Sequence, residues 1–142
     1  MVGLDQYLLA KVKGRESDNL TGACGGLFPL APKSDKTEIG YWRKFYKLDD
    51  IIREKKQFTE DEWDEKNCED IRLTKADCKY IQSYAEEEMY ELVEWYEGNM
   101  QKLEDSEDIW DYQDWEATVD IMKKAISLIE EEKATIYYKY WR

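Results

Sequence analysis

Residues 41–47, YWRKFYK, place four aromatic residues and three cations in seven consecutive positions. The cluster is unusual because the chain has 33 acidic residues against 21 basic ones and a net charge of −12. If a helix begins here, its N-terminal N–H groups favour an anion, and the aromatic rings can hold a cation by cation–π contact. The cluster is therefore either the start of an ordinary amphipathic helix or a site for a nucleotide-like anion. The residues of that ligand site would be Tyr41, Trp42, Arg43 and Lys44.

Acidic residues form a larger feature in the second half of the chain. At helical spacing, Glu87, Glu91 and Glu94 share one outward face. Residues 104–116 hold seven acids and no base, interleaved with tryptophan and tyrosine. Such a surface is either simply solvated or an interface in which carboxylates steer a basic partner and aromatic rings anchor it. The predicted partner-binding residues are Glu87, Glu91, Glu94, Asp108, Trp110, Asp111, Asp114 and Trp115.

Patterns for catalysis and metal binding are weak. The chain has no histidine, which excludes Ser-His and Cys-His nucleophiles, and GACGGLFP lacks the Gly-Lys-Ser/Thr ending of a phosphate-binding loop. It has no CxxC pair for zinc, and residues 105–116 have Trp110 where a calcium loop needs glycine. We therefore expect no catalytic residue, no metal ligand, no cofactor and no enzymatic activity, while a loose carboxylate site for Mg²⁺ stays open.

Charge is divided unevenly along the chain. Residues 1–56 carry 11 basic and 8 acidic side chains, whereas residues 57–142 carry 10 and 25. The acidic part repels nucleic-acid backbones and membrane surfaces and attracts basic proteins, so we expect neither direct nucleic-acid binding nor membrane association. No membrane span or secretory signal is recognisable, and three irregularly spaced cysteines indicate reduced thiols. These features predict a cytoplasmic protein.

The elements that position these residues follow an α+β pattern. The opening GLDQYLLAKVK and the C-terminal ATIYYKYWR are typical of strands, and EDIRL predicts a third, short strand. A Gly/Pro-rich loop occupies about residues 14–40. We expect residues 1–142 to form one small acidic α+β domain, with about three helices packed on a short antiparallel sheet formed by the chain termini. The predicted helices span about 41–56, 75–97, where Thr74 is the N-cap, and 112–132.

Two motifs carry a family resemblance. The start Gly3-Leu4-Asp5-x-Tyr7-Leu8, together with Ile39-Gly40-Tyr41-Trp42-Arg43-Lys44, resembles a family of small proteins encoded by bacteriophages and prophages. The similarity extends to the acidic aromatic segment, helix and tyrosine-rich end of the C-terminal third. Members of that family continue the YWRK motif with Ala-Asn and an Ile-His pair, whereas this chain has FYKLDDII. The resemblance implies a phage origin and an accessory role in the host-cell cytosol, and it carries no catalytic residues.

These observations lead to two hypotheses. In the first, the protein is a phage-encoded, non-enzymatic inhibitor of a basic host protein, and its acidic surface partly mimics nucleic acid. That host protein would be a nucleic-acid-binding or defence protein, which makes an anti-CRISPR activity one candidate. In the second, the chain binds or sequesters a nucleotide-like anion at the YWRK helix start. Both hypotheses leave the oligomeric state open.

Overall fold

The computed structural model of the protein describes residues 3–12 and 36–142. These residues form a small α+β domain, as the sequence predicts. Its four strands make one antiparallel sheet in the order β2-β1-β4-β3. The two chain ends are neighbours in that sheet, and EDIRL supplies its third predicted strand. The strands are β1 (Asp5–Lys11), β2 (Thr37–Arg43), β3 (Ile71–Leu73) and β4 (Thr135–Trp141).

Five helices lie within the described residues, two more than the sequence predicts. The long second and third predicted helices are confirmed, and Thr74 and Asp77 form the predicted reciprocal cap: Asp77 N–H donates to Thr74 Oγ1 and Thr74 N–H donates to Asp77 Oδ2. A similar box of Thr59 and Glu62 starts one of the short helices that the sequence reading missed. The helices are α1 (Tyr46–Lys55), α2 (Glu60–Glu65), α3 (Lys75–Trp95), α4 (Met100–Glu104) and α5 (Ile109–Glu132).

The YWRK segment is strand, and the prediction of a helix starting at residue 41 is wrong. Trp42 is paired with Gln6 and Tyr41 with Tyr7 across the ladder between β1 and β2. Side chains alternate, since Trp42 is buried whereas Tyr41 and Arg43 are exposed, which is the period of a strand. Lys44, with φ of 56°, ends the strand, and α1 begins at Tyr46. Residues 37–40 also belong to β2, so the predicted loop is shorter at that end, and its residues 14–35 lie outside the described part.

One core joins the helices to one face of the sheet. Alternate residues of β4 are buried, and their side chains belong to the same cluster as the apolar stripes of α1, α3 and α5. Burial of this apolar area is the main favourable contribution to folding. The stripes include Leu48 and Ile52 of α1, Cys78, Ile81 and Ala85 of α3, and Trp115, Val119 and Met122 of α5.

Gly40 sets the distance between β2 and α5. A Cβ atom at this position would stand 2.6 Å from Cγ2 of Ile121, which is far inside van der Waals contact. The absence of a side chain at residue 40 therefore lets the edge strand approach the longest helix.

The cysteines differ from the prediction of three reduced thiols. Cys78 is free and buried, and its burial raises the pKa of the thiol to about 12, so it is a poor nucleophile. Cys68 takes part in a disulfide bond. Disulfides are more typical of oxidising compartments than of the cytosol, so the cytoplasmic location stays a prediction. Among the described helices, none combines the length and the apolar character that crossing a bilayer would need.

Candidate binding cleft

An open cleft of about 330 Å³ lies between α1, α3 and α5. The residues of α1 that line the cleft recur three or four positions apart, and the two lining residues of α3 are four positions apart. Each of these helices therefore presents one face to the cleft. Carboxylates outnumber cations among the lining side chains by three to one, and we call this region the acidic cleft. Its lining residues are Lys47, Asp50, Ile51, Glu54, Tyr84, Glu88 and Trp115.

Two of the three carboxylates of the acidic cleft lie in an environment that disfavours their charge. Burial raises the pKa of Asp50 and of Glu88, and neighbouring acids add to both shifts, while Arg53 opposes the shift of Asp50 and Lys47 that of Glu88. The only lysine that lines the cleft, Lys47, is shared with Asp111 on α5, because its Nζ lies 2.6 Å from Oδ2 of that residue. The lining of the cleft therefore carries a net negative charge, with the Arg53 guanidinium 3.9 Å from Glu54 beside it.

Trp115 closes the inner side of the acidic cleft. Its side chain is 1% exposed. Its ring packs edge-on against Phe45, with 4.6 Å between the ring centroids, and is tilted against Tyr84, with 5.6 Å between the centroids. The indole N–H of Trp115 has no hydrogen-bond partner among the described residues. The other two fully buried indoles are paired, Trp42 with Thr118 Oγ1 at 2.9 Å and Trp63 with Asp49 Oδ2 at 2.8 Å. A buried donor without a partner is destabilising. Trp115 differs from the other two in this respect, and a ligand with a hydrogen-bond acceptor would remove the penalty.

The carboxylates of the acidic cleft do not converge on one point. No group of three or more Asp, Glu, His or Cys residues in the described ranges is arranged to hold a metal ion. A small divalent ion needs several oxygen ligands at bonding distance. The spread of carboxylates over two helices suits an extended organic cation better.

The predicted acidic stripe of α3 is exposed along its length. Glu87, Glu91 and Glu94 all face solvent. Two aromatic residues that the sequence reading missed lie among them, Tyr90 at 64% and Trp95 at 78% exposure. They fall on this stripe because they are three or four residues from the glutamates, a spacing that was visible in the sequence. We call Glu87, Tyr90, Glu91, Glu94 and Trp95 the α3 face.

The predicted site residues at the start of α5 separate into different environments. Trp110 is 69% exposed, and Asp108 accepts a hydrogen bond of 2.5 Å from the Tyr96 hydroxyl. Asp111 holds Lys47, and burial raises the pKa of the half-buried Asp114. Trp115, which was predicted as a partner-binding anchor, is 1% exposed, and its ring belongs to the core between α1, α3 and α5.

The alternative ligand site at residues 41–44 was predicted because a helix was expected to begin there. No helix N-terminus is present there, since these residues end β2. Trp42 is buried, and the Tyr41 hydroxyl donates to Asp5 Oδ1 at 2.7 Å, a bond that raises the pKa of Tyr41 to about 12. Arg43 and Lys44 are exposed, and the backbone N–H of Lys44 donates to the carbonyl of Leu4.

A second polar cluster lies on the other side of α1, and we call it the Asp49 network. Asp49 is 1% exposed; its Oδ1 accepts from the Tyr138 hydroxyl at 2.6 Å, and its Oδ2 accepts from Trp63 and from Arg142. The Gln6 amide continues the network by donating to Tyr138 and exchanging two hydrogen bonds with the backbone of Phe45. Every member is partnered, so the network ties α1 and α2 to β1 and β4.

Comparison with known proteins adds no relative, because no protein-family model, curated protein or solved structure matches this chain.

Proposed function

We propose that this protein is a non-enzymatic binding protein that recognises a basic protein partner through the α3 face and the neighbouring acidic start of α5. The observation that carries the proposal is the exposure of Trp95 and Tyr90 between the carboxylates of the α3 face. Large aromatic residues at the surface are the usual anchors of protein interfaces. Trp110 adds a third exposed ring at the start of α5.

Charge supports a basic partner. The chain carries a net charge of −12, and a field of one sign accelerates the approach of an oppositely charged protein and excludes others. The acidic residues of α5 that belong to this surface are Asp108, Asp111 and Asp114. A purely solvated surface would need the carboxylates but not the rings, because exposed tryptophan reduces solubility.

Within this class, we propose an inhibitor of a host nucleic-acid-binding or defence protein, encoded by a phage and acting in the host cytosol. Carboxylates spaced along a helix and interleaved with aromatic rings offer such a protein the negative charge and flat faces that it normally finds in nucleic acid. The resemblance of the GLDxYL and IGYWRK motifs to phage proteins supports the origin. Direct nucleic-acid binding is disfavoured by the same charge.

The experiment is a pull-down from bacterial lysate with three baits, read by quantitative mass spectrometry at low and high salt. The baits are the wild type, the triple variant Glu87→Lys, Glu91→Lys, Glu94→Lys, and a matched control with three reversals outside this surface, Glu65→Lys on α2 and Asp120→Lys and Glu131→Lys on α5. We expect a basic protein to be captured by the wild type and the control, lost by the α3 variant, and weakened by salt because screening shortens the electrostatic range.

Two results contradict the proposal. If the α3 variant captures the basic protein as well as the wild type does, the α3 face is not part of the interface. Equal loss with both variants would show that net charge alone drives association, without a defined surface. A Trp95→Ala variant separates anchoring from charge, and we expect it to weaken capture at both salt concentrations, because the contact of a buried ring is not screened by salt.

A further inference from the structure

The acidic cleft has two unmet requirements that lie side by side. Three carboxylates line it, those of Asp50, Glu54 and Glu88, against one lysine, Lys47, which is also hydrogen-bonded to Asp111. The Arg53 guanidinium lies 3.9 Å from Glu54 and does not line the cleft. Trp115 lines the same cleft with an indole N–H that has no acceptor in the described part of the chain. The carboxylates favour a positively charged group, and the indole N–H needs a hydrogen-bond acceptor. A single ligand that satisfies both must therefore carry a cation and an acceptor atom.

We propose that the acidic cleft binds an arginine residue of the partner protein, with its guanidinium among the three carboxylates and its backbone carbonyl as the acceptor for Trp115. This inference rests on the proposed function, because it specifies the chemistry by which a basic partner is recognised. The volume of about 330 Å³ lies at the lower end of the roughly 300–1,000 Å³ usual for ligand sites, as a single residue requires.

The distribution of acids favours guanidinium over a compact cation. Asp50 and Glu54 come from α1 and Glu88 from α3, and no metal-like convergence of these side chains occurs. A guanidinium has five donors in a planar fork and can serve several carboxylates at once, whereas an ammonium acts as a point charge. The half-buried ring of Tyr84 also lines the cleft, and arginine stacks on such faces more readily than lysine.

The indole N–H selects a peptide over a free polyamine. A protonated polyamine has only donors, so it would satisfy the carboxylates and leave Trp115 unpaired. An arginine residue brings its carbonyl oxygen on the same short unit. Because the Trp115 N–H is buried, this binding mode requires a neighbouring side chain to move. Tyr84 lines the cleft and its ring centroid lies 5.6 Å from that of Trp115, so its side chain is the one that shifts in the proposed complex.

The test follows the tryptophan indole N–H signals of the ¹⁵N-labelled protein by two-dimensional NMR. Trp115→Phe assigns the Trp115 signal by its disappearance. The probes are N-acetyl-arginine amide, its neutral isostere N-acetyl-citrulline amide, and spermidine. We expect arginine amide to shift the Trp115 signal downfield and saturably, citrulline amide to shift it little, and spermidine to perturb backbone signals of the cleft without moving that indole.

Variants separate the cleft from general electrostatics. Glu88→Gln is expected to weaken binding of the arginine probe by about tenfold, the effect of one lost charge-assisted hydrogen bond. Glu131→Gln, with the same charge change at an exposed position of α5, is the matched control and should leave the affinity unchanged. An unmoved Trp115 signal, an equal effect of citrulline, or equal losses in the two glutamine variants would overturn the proposal.

The outcome is distinguishable from failure of the proposed function. If the arginine probe fails while lysate capture still depends on the α3 face, only the cleft assignment is overturned. If the probe binds as expected while capture is independent of the α3 face, the arginine site stands and the proposed interface does not.

Discussion

Asp49 and Asp50 are neighbours in α1 and have opposite situations. Asp49 is almost completely buried, and both of its carboxylate oxygens accept hydrogen bonds, from Tyr138, Trp63 and Arg142. Asp50 lines the acidic cleft, where burial raises its pKa. One carboxylate holds elements together, and the other is held in an unfavourable state by them. The comparison shows that a buried acid with a full set of partners serves the fold, whereas an exposed acid at a cleft, without hydrogen-bond partners, stays available to a ligand.

The same contrast separates two tryptophans of equal burial. Trp63 and Trp115 are 2% and 1% exposed, and both pack against aromatic rings. Trp63 donates its indole N–H to Asp49, whereas that of Trp115 has no partner in the described structure. The Asp49 network is therefore satisfied within the fold, whereas the acidic cleft keeps one buried donor without an acceptor in the described structure.

The largest expected effect comes from removing the centre of the Asp49 network. Asp49→Ala leaves the Trp63 N–H and the Tyr138 hydroxyl without their acceptor and Arg142 without its ion pair. We expect the free energy of unfolding to fall by about 3–5 kcal/mol, as for other broken buried charge pairs, measured by urea denaturation followed by circular dichroism.

Asp50→Ala is the matched control one residue away. Because its carboxylate has no such partners, we expect a change within about 0.5 kcal/mol. A similar decrease in the free energy of unfolding in the two variants would show that Asp50 contributes to stability as Asp49 does, and would contradict this comparison.

An intermediate effect is expected for the tryptophan pair. Trp63→Phe and Trp115→Phe remove the same volume from equally buried positions, but only Trp63→Phe removes a hydrogen bond to a charged acceptor. We expect Trp63→Phe to reduce the free energy of unfolding by about 1–3 kcal/mol more than Trp115→Phe does. Equal costs in the same denaturation measurement would mean that the Trp115 N–H is satisfied in solution.

The smallest expected effect is the pH dependence of Glu88. Burial raises its pKa in the folded protein, so the folded state holds this proton more tightly than the unfolded chain. The contribution of Glu88 to stability is therefore full below the ordinary glutamate pKa of about 4.3 and is lost as the pH rises through the raised pKa.

Glu88→Gln does not titrate and should thus be more stable than the wild type at pH 7 by less than about 0.5 kcal/mol, since solvent screens a group this exposed. We expect the advantage to disappear towards pH 4 in thermal denaturation scans. An advantage that grows on acidification would reverse the assigned direction of the shift.

Local periodicity predicted much of the fold. The stripes of α3 and α5 and the alternation of β4 are buried as their spacing requires. The error at residues 41–44 arose because a helical stripe of Tyr41, Phe45, Leu48 and Ile52 continues past the real boundary. Its last three members are buried, but at the start of the segment Trp42 rather than Tyr41 faces the core. The hydrophobic pattern there fits a helix as well as a strand, and pairing with β1 selects the strand.

The candidate site was less predictable. The acids of the α3 face follow from helical spacing, but the acidic cleft brings together residues from 47 to 115 that share no sequence signal. Whether a tryptophan is buried depends on what packs over it: Trp115 meets Phe45 and Tyr84, whereas Trp95 in the last turn of α3 stays exposed. Such contacts exist only in three dimensions.

The central position of β1 and β4 has a consequence for how the chain reaches its structure. Asp5 is in register with Trp141, and Lys11 with Thr135, so the two middle strands of the sheet lie at opposite ends of the sequence. Pairing across such separations is entropically costly and slow, whereas α3 and α5 are close in sequence and can associate early. During synthesis, β1 therefore has one edge without its partner strand until residues 135–141 leave the ribosome, and the sheet cannot be completed before then.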